Sequence, residues 1–173
     1  SKILPPLTTV NGKVIHRDWD YLQYFISEAR RLGLKVTVST AMFPSGHPAT
    51  REGLVYDEPR WDGKTCLEYT PGGKMLDIRE DKKKVGAFLN PVRKDVRKFA
   101  LSIVREIVKN YDVDAYALDY CRYPGDDSDF SIDSQKAFER YLGKKIQNFP
   151  DDIFTWNTDG TKKPGIYYKE WWA

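Results

Sequence analysis

Asp119 closes the apolar run Ala115–Leu118, and Asp is a residue that strands ordinarily exclude. A carboxylate set at the end of a strand could do acid, base or nucleophilic work in a cleft. The plainer reading is an Asp that caps the following loop or pairs with Arg122. Two further segments hold groups suited to a polar ligand: Met42-Phe43-Pro44-Ser45-Gly46-His47 contributes a histidine, and Leu89-Asn90-Pro91 an amide. After Asp119, Tyr120-Cys121-Arg122-Tyr123-Pro124 adds two phenol rings and a guanidinium. Each segment follows an apolar run, so the chemistry depends on whether these runs are strands whose ends share one side.

The elements read as follows. Asp18 is a plausible cap for a helix carrying Leu22, Phe25, Ile26, Ala29 and Leu32 at helical spacing, stopped by Gly33. Leu34–Phe43 is rich in β-branched and apolar residues and reads as a buried strand ending at Pro44. A long irregular stretch then runs to about Val85, with Thr65–Tyr69 and Lys74–Ile78 flanking Pro71-Gly72-Gly73 as a small hairpin. Tyr56, Trp61 and Tyr69 would anchor it. Val85–Leu89 is a second strand candidate and Val92–Asn110 a helix with a broad apolar face. Ala115–Tyr120 is a third strand, and a helix from about Ser134 to Leu142 is capped by Asp133 or Ser134 and stopped by Gly143. Tyr167–Trp172 looks like the start of one more helix.

Helices lead into strands through short turns, and strands lead into helices through longer loops. This asymmetry predicts an α/β fold with a parallel sheet, flanking helices and one long irregular βα loop. Sites in such folds lie at the carboxyl ends of strands. About three βα units are legible, whereas a whole (β/α)8 TIM barrel has eight. The expectation is therefore a single partial TIM-barrel-like domain over residues 1–173, truncated at one or both ends. An open parallel sheet also exposes an edge, which invites self-association.

Composition excludes more than it selects. With 28 basic and 25 acidic side chains, the net charge of +3 gives no one-signed footprint for nucleic acid. Lys82, Lys83 and Lys84 stand beside Arg79, Glu80 and Asp81 and read as a solvated loop. Cys66 and Cys121 have no metal-binding spacing, and their pairing is left open. No segment has the roughly 20 apolar residues of a membrane span, and Ser1–Val10 has no apolar core of an export signal. His16 reads as structural or exposed. Nothing calls for a metal or cofactor.

The block from Leu89 through Pro124 carries a resemblance. Leu89-Asn90-Pro91, a helix, Tyr111-Asp112-Val113-Asp114, an apolar run, then Asp119-Tyr120 and Arg122-Tyr123 resemble the signature of the glycoside-hydrolase-like 10 group of bacterial proteins. Glu28–Val36 and Gly53–Asp57 resemble the group's earlier helix-to-strand segment and loop. Ala115 departs from the group's usual Gly, which bears on local backbone geometry. The resemblance implies a glycosidase-like TIM barrel, commonly exported to the periplasm, cell surface or medium of bacteria that degrade polysaccharides. Activity has to be argued from the site.

Most glycosidases use two carboxyl groups, about 5 to 5.5 Å apart for retention or about 6.5 to 9.5 Å for inversion. Asp119 is expected to be the catalytic nucleophile or base, with Arg122 as its charge partner. Glu52, Asp57, Glu58, Asp126 and Asp127 stand on loops that could approach it, and a partner outside this chain is the favoured alternative, in which case the chain alone would turn over nothing. Sugar faces stack on aromatic rings with polar tips, so Tyr120, Tyr123 and Trp61 are candidate substrate contacts, with Tyr56 beside them and Arg122, Asn90 and His47 as hydrogen-bond partners. Each has a plainer alternative: Trp61 as loop core, Tyr123 bracing Pro124, Asn90 as a helix cap, His47 as a surface residue. Two other functions compete. One is a non-catalytic carbohydrate-binding protein on a degenerate barrel, distinguished by lack of a second inward carboxylate. The other is a metal-dependent barrel hydrolase of acyl groups with Asp119 and His47 as ligands, against which the missing paired-histidine spacing counts.

Overall fold

Two apolar runs far apart in the chain pair as parallel strands, and the long excursion between them, together with the chain after the second run, builds a second body. The computed structural model describes residues 7–10, 13–16 and 20–172, the first two segments by their backbone alone. In chain order the elements are β1 (Leu7–Val10), β2 (Lys13–His16), α1 (Tyr21–Arg31), β3 (Thr37–Ala41), α2 (Leu54–Asp57), β4 (Leu67–Tyr69), β5 (Met75–Asp77), α3 (Lys94–Asn110), β6 (Ala115–Asp119), α4 (Ile132–Leu142), β7 (Phe154–Trp156), β8 (Lys162–Pro164) and α5 (Tyr168–Trp172). Short 3-10 turns cover Pro59–Trp61 and Ile78–Glu80. Two compact units result, one from residues 1–43 and 94–121, the other from 44–93 and 122–173.

In the first unit, β3 and β6 run parallel in the register Thr37↔Ala115 to Ala41↔Asp119. Asp114 sets that register from the strands' starting end. Its carboxylate accepts from Val36 N at 2.7 Å and pairs with Arg30 of α1 at 2.7 Å, while its own N–H donates to the Val36 carbonyl at 2.9 Å. Arg30 also pairs with Asp112 at 3.0 Å, so α1 is tied to the α3–β6 turn. The Val36 N–H and the Arg30 guanidinium hold the Asp114 carboxyl below its ordinary value. Parallel strands need a long crossover, supplied here by the excursion and α3. β1 and β2 form a separate antiparallel hairpin.

The helices follow their periodicity, and their caps needed local geometry to be read. Asp18 and the side chain of His16 lie outside the described residues. Asp20 caps α1, its carboxylate accepting from Gln23 N at 3.0 Å, and Gly33 takes φ +72 just past the end. At α4 the cap is Ser131, not Asp133 or Ser134, because the Ser131 Oγ accepts from Ser134 N and the helix starts earlier than expected. Gly143 stops it at φ +69.

In the second unit the hairpin expected around Pro71-Gly72-Gly73 forms as β4–β5, with Leu67↔Asp77 and Tyr69↔Met75 paired. Val85–Leu89, however, is not a strand of the parallel sheet. Phe88 and Leu89 make only isolated antiparallel bridges, to Pro44 and Thr65. The run is apolar because Ala87, Phe88 and Leu89 are buried inside the excursion, and a short apolar run reports burial before it reports strand. Its backbone is committed there: Ala87 N donates to Gly46 O at 2.7 Å, and the Phe88 carbonyl accepts from Cys66 N. The two cysteines are free thiols, Cys66 buried and Cys121 exposed.

The core of this unit is aromatic. Phe130 stacks on Trp171 with centroids 5.1 Å apart and meets Phe154 edge-on at 5.3 Å, while Tyr69, Phe138 and Phe149 close around them. α5 and the β7–β8 hairpin thereby find their places, although neither hairpin strand was marked by periodicity. Tyr69 is 5% exposed and donates its hydroxyl to Asp151 at 2.9 Å. Burial, with the Asp151 carboxylate beside it, pushes the Tyr69 phenol up to about 12 from 10.0. A raised phenol contributes stability that is whole below pH 10.0 and lost as pH rises through about 12, a loss of roughly 2 to 3 kcal/mol. Urea unfolding on either side of that window should show a loss smaller by that amount in Tyr69→Phe than in the natural chain, the remainder falling to Tyr111, whose phenol is likewise pushed up to about 12; parallel curves for the two would refute it.

Candidate functional site

Asp119 is the last residue of β6, in register with Ala41 at the end of β3, and its carbonyl accepts from Met42 N at 2.8 Å. The two strands therefore finish together with a carboxylate at their shared carboxyl end. The Asp119 side chain is exposed. Its Oδ1 accepts from Tyr120 N at 2.8 Å, which leaves Oδ2 as the oxygen with no hydrogen bond among the described residues. Tyr120 makes that bond from φ +46, a left-handed conformation that costs a residue with a Cβ about 1 to 2 kcal/mol. Strain of this kind persists where surrounding structure holds it and clusters at working sites. Tyr120→Gly should consequently be more stable than Tyr120→Ala by about 1 kcal/mol in urea unfolding, since both lose the ring and only one keeps the strain. Equal stabilities would show that the backbone relaxes.

The other residues expected around Asp119 belong to the second unit, Tyr120 excepted. Arg122 is exposed and its Nη1 donates to the carbonyls of Tyr123 at 2.9 Å and Pro124 at 3.3 Å, shaping its own loop. Tyr123 is 37% exposed. His47 is exposed, with its N–H on the Glu52 carbonyl at 2.9 Å. Trp61 is buried beneath the Arg60 guanidinium, 4.8 Å above its ring. Tyr56 is half-buried with its hydroxyl on the Arg79 carbonyl.

Asn90 is 1% exposed and committed at both ends of its amide. Its Oδ1 accepts from Val92 N at 3.0 Å in the turn before α3, which starts at Lys94, so it braces that turn and does not cap the helix, and its Nδ2 donates to Asp129 Oδ2 at 2.6 Å and Ser131 Oγ at 3.0 Å. Asp129 was given no role by the sequence, yet it centres this network. It also accepts from Leu67 N at 2.6 Å, Ser131 Oγ at 2.5 Å and Ser134 Oγ at 2.7 Å. Burial pushes its carboxyl up, against the pull of the serine hydroxyls and the Leu67 N–H. Phe130 N on the Leu67 carbonyl and Tyr69 N on the Asp127 carbonyl, both 2.9 Å, lay this segment along β4.

Of the acids named as possible partners of Asp119, Asp127 is held by Lys84 at 3.0 Å, Asp126 by Lys162 at 2.6 Å and Glu58 by Arg60 at 2.5 Å. Glu52 and Asp57 are exposed. Lys84 corrects the reading of the basic run: it does not simply point into solvent but inserts between Asp127 and the buried Glu68, 2.5 Å from the latter. Burial pushes the Glu68 carboxyl up while Lys84 pulls it down, and the net direction is up. A side chain at Gly125 would meet Asp127 Oδ1 at 2.7 Å, so a larger residue there would require the Asp127 carboxylate to shift. A charged residue within a strand was the one sequence signal for Glu68; for Asp129, inside an Asp- and Ser-rich segment, there was none. Among the described residues no group of His, Cys, Asp and Glu is arranged to hold a metal ion, and no helix is long and apolar enough to cross a membrane.

A family model described as glycosyl hydrolase-like 10 matches residues 1–164. An S-layer-related protein of Niallia circulans is 37% identical over 159 residues, an alignment that takes in 90% of this chain and 10% of that protein. The chain thus spans about a tenth of that relative's length. No solved structure matches.

Proposed function

The chain belongs to the glycosyl hydrolase-like 10 family, and from that membership we propose that it serves hydrolysis of a glycosidic bond in a polysaccharide or oligosaccharide, with Asp119 as nucleophile or base. One observation carries the reading: Asp119 ends a strand of a parallel pair, in register with the end of its neighbour, with one carboxylate oxygen oriented by Tyr120 N and the other left to react. In α/β folds that end of the strands is where ligands are met. The pair β3–β6 is read as two strands of a (β/α)8 barrel.

As nucleophile, Asp119 Oδ2 would attack the anomeric carbon while a second carboxyl protonates the departing oxygen; as base, it would take a proton from the attacking water. Tyr120 is proposed as a ring for the sugar face within the same unit. In the second unit, taken by itself, Arg122, Tyr123 and His47 are exposed and are proposed as carbohydrate contacts there, whereas the buried Asn90 and Trp61 are assigned to the frame. The S-layer-related relative supports an extracellular or cell-surface setting.

Release of reducing ends by the full-length protein from a panel of polysaccharides, beside its Asp119→Asn variant, tests the reading. Release that depends on Asp119 is the expected result. Binding without release by either protein would favour the carbohydrate-binding alternative, and release unaffected by the substitution would remove Asp119 from the chemistry.

A further inference from the structure

Away from Asp119, a cleft of about 420 Å³ opens at the carboxyl end of α4, lined by Lys136, Glu139, Arg140, Gly143, Lys144 and Lys145. Its one anion is already committed. Glu139 is 7% exposed; its Oε2 accepts from Lys145 Nζ at 2.7 Å, and its Oε1 from Ile146 N and Gln135 Nε2 at 3.2 Å each. The Lys145 ammonium and these donors hold that carboxyl below its ordinary value.

Lys136, Arg140 and Lys144 are all exposed and have no anionic partner among the described residues. Lys136 and Arg140 stand one turn apart on α4, where like charges repel. Lys144 follows Gly143, whose left-handed turn brings Lys144 N onto the Glu139 carbonyl at 3.2 Å, and its ammonium lies 4.8 Å over the Tyr167 ring. A helix dipole favours cations in the last turn but fades beyond it, so it does not account for Lys136. Three cations around a cleft whose own carboxylate is neutralised form a site short of negative charge.

We propose that this cleft binds an anionic group on a polysaccharide, a carboxylate or phosphate ester carried by a sugar. The choice of a glycan rests on the hydrolase reading above; the balance of 28 basic against 25 acidic side chains speaks against a general nucleic-acid surface. The site would anchor a charged polymer independently of bond cleavage.

Affinity electrophoresis of the full-length protein through gels containing polygalacturonate, a glycerol-phosphate polymer or neutral dextran tests this. At least one acidic polymer should retard the natural protein and dextran should not; which polymer does so identifies the group. The triple variant Lys136→Gln, Arg140→Gln, Lys144→Gln should bind about tenfold more weakly, through loss of local potential. A charge-matched triple on the exposed face of α3, Lys98→Gln, Arg105→Gln, Lys109→Gln, should bind as the natural protein does. Equal loss in both triples, no retardation by either acidic polymer, or equal retardation by single-stranded DNA would each overturn the proposal. Asp119→Asn should leave retention intact, so failure of the anchoring site and failure of the hydrolase reading appear in different measurements.

Discussion

Asp119→Asn in the full-length protein is expected to lower kcat by about a thousandfold while leaving the stability of the fold within about 0.5 kcal/mol. Asparagine keeps an oxygen where Asp119 Oδ1 accepts from Tyr120 N, so the local turn retains its hydrogen bond. The side chain is exposed and terminal in β6, so no packing is lost. What goes is the negative charge and the basic oxygen, the two properties a nucleophile or general base cannot do without. Rate assays beside thermal melts check both halves. A large drop in melting temperature with activity kept would make Asp119 a structural cap.

Asp129→Ala is expected to act in the opposite sense, costing about 3 to 5 kcal/mol of stability. The substitution strips acceptors from Leu67 N, Asn90 Nδ2, Ser131 Oγ and Ser134 Oγ in a site where Asp129 is 1% exposed and water has no ready access. These donors come from β4, the turn before α3 and the start of α4, so their loss loosens several elements at once. Urea denaturation checks it. A cost below about 1 kcal/mol would mean that the donors find new partners.

What could be read from the chain alone divides along a physical line. Signals set by neighbours in sequence were legible: the helical spacing behind α1 and α3, the left-handed stops at Gly33 and Gly143, and the Pro71-Gly72-Gly73 turn between β4 and β5. Partners distant in sequence were not. Val85–Leu89 and Ala115–Asp119 are alike as short apolar runs, but only the second finds β3, while the first spends its backbone inside the excursion. Lys84 looked solvated because Asp127, 43 residues on, could not be seen. Asn90 showed only that it would bond to the backbone just after it, as it does at Val92 N in the turn before α3, and hid the contact with Asp129 39 residues away. Asp119 stood out because a carboxylate at the end of an apolar run is legible from five consecutive residues.

Chemical rescue of Asp119→Ala tests the assigned chemistry most directly. With an aryl glycoside as substrate, the full-length variant should be inactive alone and should regain turnover when sodium azide is added, releasing a glycosyl azide as the small anion fills the space of the missing carboxylate. Turnover by Asp119→Ala at the natural rate without azide would contradict a chemical role for this residue.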